Sequence, residues 1–189
     1  MVQQNAKDPQ VSATRRAFLR RIVLGIPATA CLSVIPSTAK AREERSLSLY
    51  HTHTGERLSI VYYADGRYLP DSLRQLNFLL RDFRNDQVRE LDLNLLDLLH
   101  EVSQRFGGSR TVEIISAYRS PETNAMLHRR SNGVARNSLH MQGKAMDVRL
   151  RGVDLAQFQK AALVLGRGGV GYYSRSNFIH LDTGRTRRW

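Results

Sequence analysis

Over residues 46–50 and 58–63 apolar and polar side chains alternate with a period of two, on either side of a turn at Thr54-Gly55-Glu56, which predicts a pair of strands. Asp65-Gly66 closes the second of them. The period then lengthens. Asp71 stands where it can cap a helix running to about Arg84. Leu91, Leu95, Leu98, Leu99 and Val102 fall close to helical spacing in a second helix over about 88–106, stopped by Gly107-Gly108. Beyond it the pattern predicts a strand over 111–117, a helix over 121–130, a loop to Lys144 and a strand over 145–150. A clear helix over 154–165 and two short strands, 169–173 and 177–182, complete the chain. Helices mixed with hairpin strands predict one α+β domain with a small, mostly antiparallel sheet and flanking helices.

The first forty residues follow a different rule. Thr14-Arg15-Arg16-Ala17-Phe18-Leu19-Arg20 precedes an apolar run over 22–35, interrupted by Pro27, and then a small-x-small step, Ala39-Lys40-Ala41. The run of about 14 residues is short of the roughly 20 that a membrane-spanning helix needs. Paired arginines followed by Phe and Leu resemble a twin-arginine export signal. The expectation is a signal peptide over 1–41, read by the twin-arginine machinery and cleaved near Ala41, and a mature domain over 42–189 in the periplasm. Cys31 follows Ala28-Thr29-Ala30, a poor match to a lipidation site because Ala28 stands where Leu is usual. No second long apolar run follows, so no membrane span is expected after processing.

Charge narrows the partners. The chain carries 29 Lys+Arg against 17 Asp+Glu, a net charge of +12, and only +5 of it lies in residues 1–41. A basic mature domain favours a polyanionic surface: nucleic acid, anionic lipid or an acidic cell-wall polymer. A single cysteine excludes an internal disulfide and any Cys-rich zinc or iron–sulfur site. Metal or acid–base chemistry must therefore come from the six His, the carboxylates and the hydroxyls.

Two strand-like segments concentrate such groups. His140 lies seven residues before Asp147, and alternation puts Ala145, Asp147 and Arg149 on one face of their strand and Met146, Val148 and Leu150 on the other. Downstream, Phe178, His180 and Asp182 share one face, opposite Ile179 and Leu181. Two imidazoles and a carboxylate, with a position left for water, are a sufficient ligand set for catalytic zinc. On spacing alone the same residues also read as hydrogen-bonded strand histidines and an aspartate paired to Arg149 or Arg151, the commoner use of such positions.

The pattern Ser138-x-His140-x-x-Gly143-x-Ala145-x-Asp147 with a distal His180 resembles the zinc D-alanyl-D-alanine peptidase superfamily, which shares its fold with the hedgehog signalling domain. Ser116-Ala117-Tyr118-Arg119-Ser120 is similar to a strand end of the same family. Gly168-Gly169-Val170-Gly171-Tyr172-Tyr173 and His180-Leu181-Asp182-Thr183-Gly184-Arg185 resemble more specifically the twin-arginine-exported branch that contains murein endopeptidase K. The resemblance covers most of 46–189. It implies one zinc ion per chain held by His140, Asp147 and His180, with Arg119 binding a substrate carboxylate or steadying an oxyanion. Ser138 would hydrogen-bond the site or cap its loop, and Tyr173 would assist Arg119 at the substrate. The implied activity is hydrolysis of the peptide cross-links of peptidoglycan by a monomer.

The chain departs from that pattern in one respect. Many relatives carry an acid or a second His two to six residues before the last ligand, whereas here those positions include Phe178, Asn177 and Ser174. Asp182 is the nearest carboxylate, either a proton shuttle or an orienting residue, with the shuttle slightly preferred. A peptidoglycan carboxypeptidase and a zinc-containing wall-binding module without catalysis are the alternatives. A nucleic-acid partner is not expected, because no aromatic residues interleave the arginines. His51 and His53 are expected on an exposed strand face, and His100 and His128 on the surface. Gly166-Arg167-Gly168-Gly169 reads as a turn, lacking the Lys-Ser/Thr of a phosphate loop.

Overall fold

The computed structural model describes residues 43–131 and 133–189. The expected export signal and Cys31 lie outside the described residues. The alternating segments form the hairpin of β1 (Arg45–His51) and β2 (Arg57–Ala64), extended by a two-residue strand, β3 (Arg67–Tyr68). Helices α1 (Pro70–Leu79) and α2 (Leu93–Gln104) follow, then β4 (Val112–Ser116) and α3 (Pro121–Arg130). A short 3-10 turn at Leu139–Gln142 leads into β5 (Ala145–Leu150), α4 (Leu155–Leu165), β6 (Gly169–Tyr173), β7 (Phe178–Asp182) and β8 (Arg187–Arg188).

The strands form one sheet in the order β3-β2-β1-β4-β5-β7-β6-β8. Its pairings are antiparallel except for β1 with β4 and β6 with β8. The domain is therefore α+β with a mostly antiparallel sheet, as expected, but the sheet is eight-stranded rather than small. The two added strands, β3 and β8, are each two residues long, too short to show a period in the sequence.

Two helix boundaries shift for identifiable reasons. The first helix stops at Leu79 rather than near Arg84, because Asp82 turns inward, accepting from Ser120 N at 2.8 Å and Arg84 N at 3.2 Å. The second begins at Leu93, where the Asp92 carboxylate caps it by accepting from Asn94 N, rather than near Val88. Leu95, Leu96, Leu98, Leu99 and Val102 of α2 and Phe158 and Ala162 of α4 then pack in one core with Leu47, Leu49, Ile114, Met146, Val148, Ile179 and Leu181 of the strands. At about 1.5–3 kcal/mol for each fully buried aliphatic side chain, this face is the main source of stability. No helix among the described residues is long and apolar enough to cross a membrane.

One buried carboxylate ties the sheet edge to α2. Asp97 accepts from Tyr62 OH at 2.9 Å, Tyr68 OH at 2.7 Å and Arg45 Nη1 at 2.6 Å, joining β1, β2 and β3. Burial pushes its pKa up, but the hydrogen bonds from Tyr68, Arg45 and Tyr62 outweigh it and hold the carboxyl below its ordinary 3.8. A folded-state pKa below the unfolded one gives stability that is present above the unfolded value and lost as pH falls through the folded one. Asp97→Ala leaves three donors without an acceptor and is expected to cost about 3 kcal/mol at pH 7, read from urea midpoints. The difference from the unchanged chain should shrink below pH about 4.

Candidate metal centre

The sheet register sets the site. Asp147 of β5 stands directly opposite His180 of β7, while the neighbouring pairs Met146–Leu181 and Val148–Ile179 point to the helical core. Alternation therefore sends the apolar pairs to one face and the aspartate and imidazole together to the other. His140 reaches the same place from the 3-10 turn. Ser138 Oγ caps that turn by accepting from His140 N at 3.3 Å, and Gly143 ends it with φ 68°. A Cβ on Gly143 would lie 2.6 Å from Glu90 O, so the turn is built for glycine.

Three ligand-type atoms converge. His180 Nδ1 lies 3.0 Å from Asp147 Oδ1 and 3.3 Å from His140 Nε2, and His140 Nε2 lies 3.4 Å from Asp147 Oδ1. Tetrahedral zinc with bonds of about 2.0–2.1 Å separates its ligand atoms by about 3.3 Å, so the donor set fits one such ion. The other ring nitrogens are tied back: His140 Nδ1 is 2.7 Å from Ala117 O, and His180 Nε2 is 3.0 Å from Asp182 Oδ2. Each imidazole can thus donate on its outer side and present a lone pair on its inner side.

The electrostatics follow from this crowding. Burial pushes Asp147 up, yet the charges and hydrogen bonds of His140 and His180 hold it well below the carboxylate range. For His180, burial works downward, but the bonds to Asp147 and Asp182 prevail and raise it above its ordinary 6.5. Arg119 is buried at the end of the segment after β4, and burial lowers its pKa, opposed by Asp147. Its Nη1 donates to Asn124 Oδ1 at 3.3 Å, its Nη2 is 3.8 Å from Asp147 Oδ2, and its Nε has no partner among the described residues. A guanidinium with spare donors beside a cleft is suited to an anionic group.

That cleft has a volume of about 450 Å³. Arg119, Ser138, His140, Asp147, Tyr173 and His180, all singled out in the sequence, line it together. Asp182 does not. It is fully buried behind His180, where Gly169 N, Gly184 N and both Arg187 Nη groups also donate to it. Burial pushes its carboxyl up, but the bonds from His180, Arg187 and Gly184 N outweigh it and hold the group far below the usual range. The chain runs tight around this group, for a Cβ on Gly168 (φ 154°) would lie 1.7 Å from Asp182 O.

Sequence reasoning missed Trp189 and Arg187, which complete the cleft wall. Arg187 lies on a two-residue strand and Trp189 follows it, so no period marked either. The other histidines need correction. His51 is fully buried rather than exposed, because β1 pairs with β4 and sets it opposite Ile114; its Nδ1 accepts from His53 N at 3.3 Å and from Thr54 N at 3.4 Å. Burial, with His53 nearby, lowers its pKa to about 4. His53 is exposed as expected but sits beyond the strand, stacked on Phe83 at 4.3 Å. His100 and His128 are half-buried, with Nδ1 at 2.9 Å from Ser46 O and 2.6 Å from Val134 O respectively.

A strand-borne His-Asp pair, a second imidazole from a capped turn and a neighbouring arginine at a cleft are a donor set that could hold a metal ion, of the kind a metallopeptidase needs. The chain belongs to the M15_2 peptidase family, described as peptidoglycan L,D-endopeptidase MepK, whose match spans residues 39–189. It is 42% identical over 154 residues to the peptidoglycan L,D-endopeptidase MepK of Escherichia coli (strain K12), covering 81% of this chain and 84% of that protein. A probable peptidoglycan L,D-endopeptidase MepK of Haemophilus influenzae is 41% identical over 163 residues, 84% of this chain and 88% of that protein. No solved structure gives a significant match.

Proposed function

We propose that the chain is an exported, zinc-dependent peptidoglycan endopeptidase that cuts the L,D peptide bond of cross-links, as the names of its relatives indicate for them. The observation that carries this reading is the convergence of His140 Nε2, Asp147 Oδ1 and His180 Nδ1 at the floor of an open cleft. These three residues would hold one zinc ion. When bound, zinc supplies Lewis acidity that polarises a carbonyl and acidifies water.

The chain's own groups do the rest. Arg119 binds a stem-peptide carboxylate and orients the scissile bond through its Nη2, which makes no bond shorter than the 3.8 Å approach to Asp147. Asp147 carries the only side-chain carboxylate among the described lining residues, and Arg119, Ser138 and Tyr173 are placed to donate hydrogen bonds to the peptide. Asp182 acts as a positioning residue rather than a proton shuttle, because its oxygens are occupied by Arg187, two backbone N–H groups and His180. The fold is that of the hedgehog and D-alanyl-D-alanine peptidase domains. Residues 1–41 act as a twin-arginine signal, and residues 42–189 work in the periplasm as a monomer whose excess positive charge suits an acidic wall polymer.

Digestion of purified peptidoglycan tests this, with fragments read by mass spectrometry. Cross-linked dimers should fall to monomers cut at the L,D bond, activity should vanish with chelator, and zinc should restore it. Release of single terminal residues would make the chain a carboxypeptidase instead. Stoichiometric zinc with no cleavage of any wall would make it a binding module.

A further inference from the structure

Trp189 has no part in the mechanism above, yet it is fixed from several sides. It is the one tryptophan of the chain. Its ring centroid lies 5.2 Å from that of His180, and the Arg187 guanidinium stands 4.8 Å over the indole. Its backbone carbonyl accepts from Tyr172 N at 3.0 Å. Beneath the ring is Gly171, where a Cβ would lie 2.6 Å from the indole, so β6 leaves that space to Trp189.

The indole has one polar hydrogen and no acceptor. Trp189 Nε1 donates to the Tyr173 hydroxyl at 2.9 Å, so the phenolic oxygen is the acceptor of that pair. The Tyr173 proton finds no acceptor among the described residues. The phenol ring itself is clamped, stacked on Phe178 at 4.7 Å, and it faces the cleft that holds His140, Asp147 and His180.

We propose that Trp189 is a positioning residue: its indole N–H holds the Tyr173 hydroxyl so that the phenolic proton is presented to the peptide in the cleft, where it donates to the scissile carbonyl oxygen as negative charge grows there. The inference rests on the peptidase reading. No bond to the proton is broken. A hydroxyl with its oxygen already engaged samples fewer orientations, so the donor is set before the substrate arrives.

Trp189→Phe keeps one aromatic ring while removing the donor together with part of the indole over Gly171, whereas Tyr173→Phe removes the hydroxyl alone. On zinc-loaded full-length chain with a cross-linked muropeptide, kcat should fall about tenfold in Trp189→Phe and about 100-fold in Tyr173→Phe, with KM changed by less than about twofold. The double variant should be no slower than Tyr173→Phe, because Trp189 acts only through that hydroxyl. Zinc content should be equal in all four proteins. A readout independent of activity comes from the single indole N–H cross-peak of 15N-labelled protein, which should move and exchange faster with water in Tyr173→Phe. An unmoved indole peak, an unchanged kcat in Trp189→Phe, or a double variant slower by the product of the two losses overturns the inference. An unchanged chain that cuts no wall substrate overturns the peptidase reading and this inference with it, so the two failures are told apart.

Discussion

Asp147→Ala is expected to hold no stoichiometric zinc and to cut peptidoglycan about 10³-fold more slowly than the unchanged chain, a loss of about 4 kcal/mol of transition-state stabilisation. Asp147 contributes the one oxygen among the three converging ligand atoms. It also faces Arg119, 3.8 Å away, so the variant leaves a buried guanidinium without a carboxylate in reach as well as an incomplete donor set. Metal analysis after dialysis and muropeptide release together check the prediction. Full zinc content at an undiminished rate would show that the metal binds elsewhere. A pH dependence accompanies it. Because the bonds to Asp147 and Asp182 outweigh burial and raise His180 above its ordinary 6.5, proton and metal compete for this imidazole in the range around its raised pKa. Apparent zinc affinity should therefore fall as pH is lowered through that range, and titration calorimetry in buffers of different ionisation enthalpy should detect the released proton.

Asp182→Ala should behave differently from the loss of a proton shuttle. Its carboxylate is fully buried, holds His180 Nε2 at 3.0 Å and receives Arg187 through two bonds of 2.7 and 3.0 Å. Removing it frees His180 to rotate and leaves Arg187 unpaired, so zinc affinity should drop about 10–100-fold and stability by about 3 kcal/mol. Excess zinc should recover most of the rate, and Asp182→Asn, whose amide oxygen still accepts from His180, should lose much less. A shuttle would give the opposite pattern: full zinc content, with kcat down about 10²–10⁴-fold in both variants and no rescue by metal. Competition with a chromophoric chelator measures the affinity, and urea unfolding measures the stability.

The difference between the expected and the observed place of Asp182 shows what a linear pattern carries. Alternation along residues 178–182 correctly places His180 and Asp182 on one strand face. It says nothing of which end of the imidazole looks into the cleft. That depends on Arg187 and the backbone of Gly169 and Gly184 gathering behind it, all of which are brought there by chain reversal. His51 shows the same limit from the other side. Its neighbours in sequence suggest an exposed strand face, yet the parallel pairing of β1 with β4 sets it opposite Ile114 and it is fully buried.

Periodicity alone determined the α+β class, the antiparallel hairpins and the segregation of Met146, Val148, Ile179 and Leu181 from Asp147 and His180. These are local properties, fixed by the geometry of a strand or helix and by which side chains water rejects. Spacing alone left His140, Asp147 and His180 open to a structural reading, and the resemblance of their motifs to a zinc peptidase family singled them out before any partner was visible. Only the tertiary structure decided that β5 and β7 pair in the register that sets Asp147 opposite His180, that the Ser138-capped turn brings His140 within 3.4 Å of that carboxylate, and that Trp189 closes on Tyr173. Those contacts join residues up to 33 positions apart. They form because burying the apolar face of the sheet against α2 and α4 fixes the strand register, and the register then leaves the polar face no other arrangement.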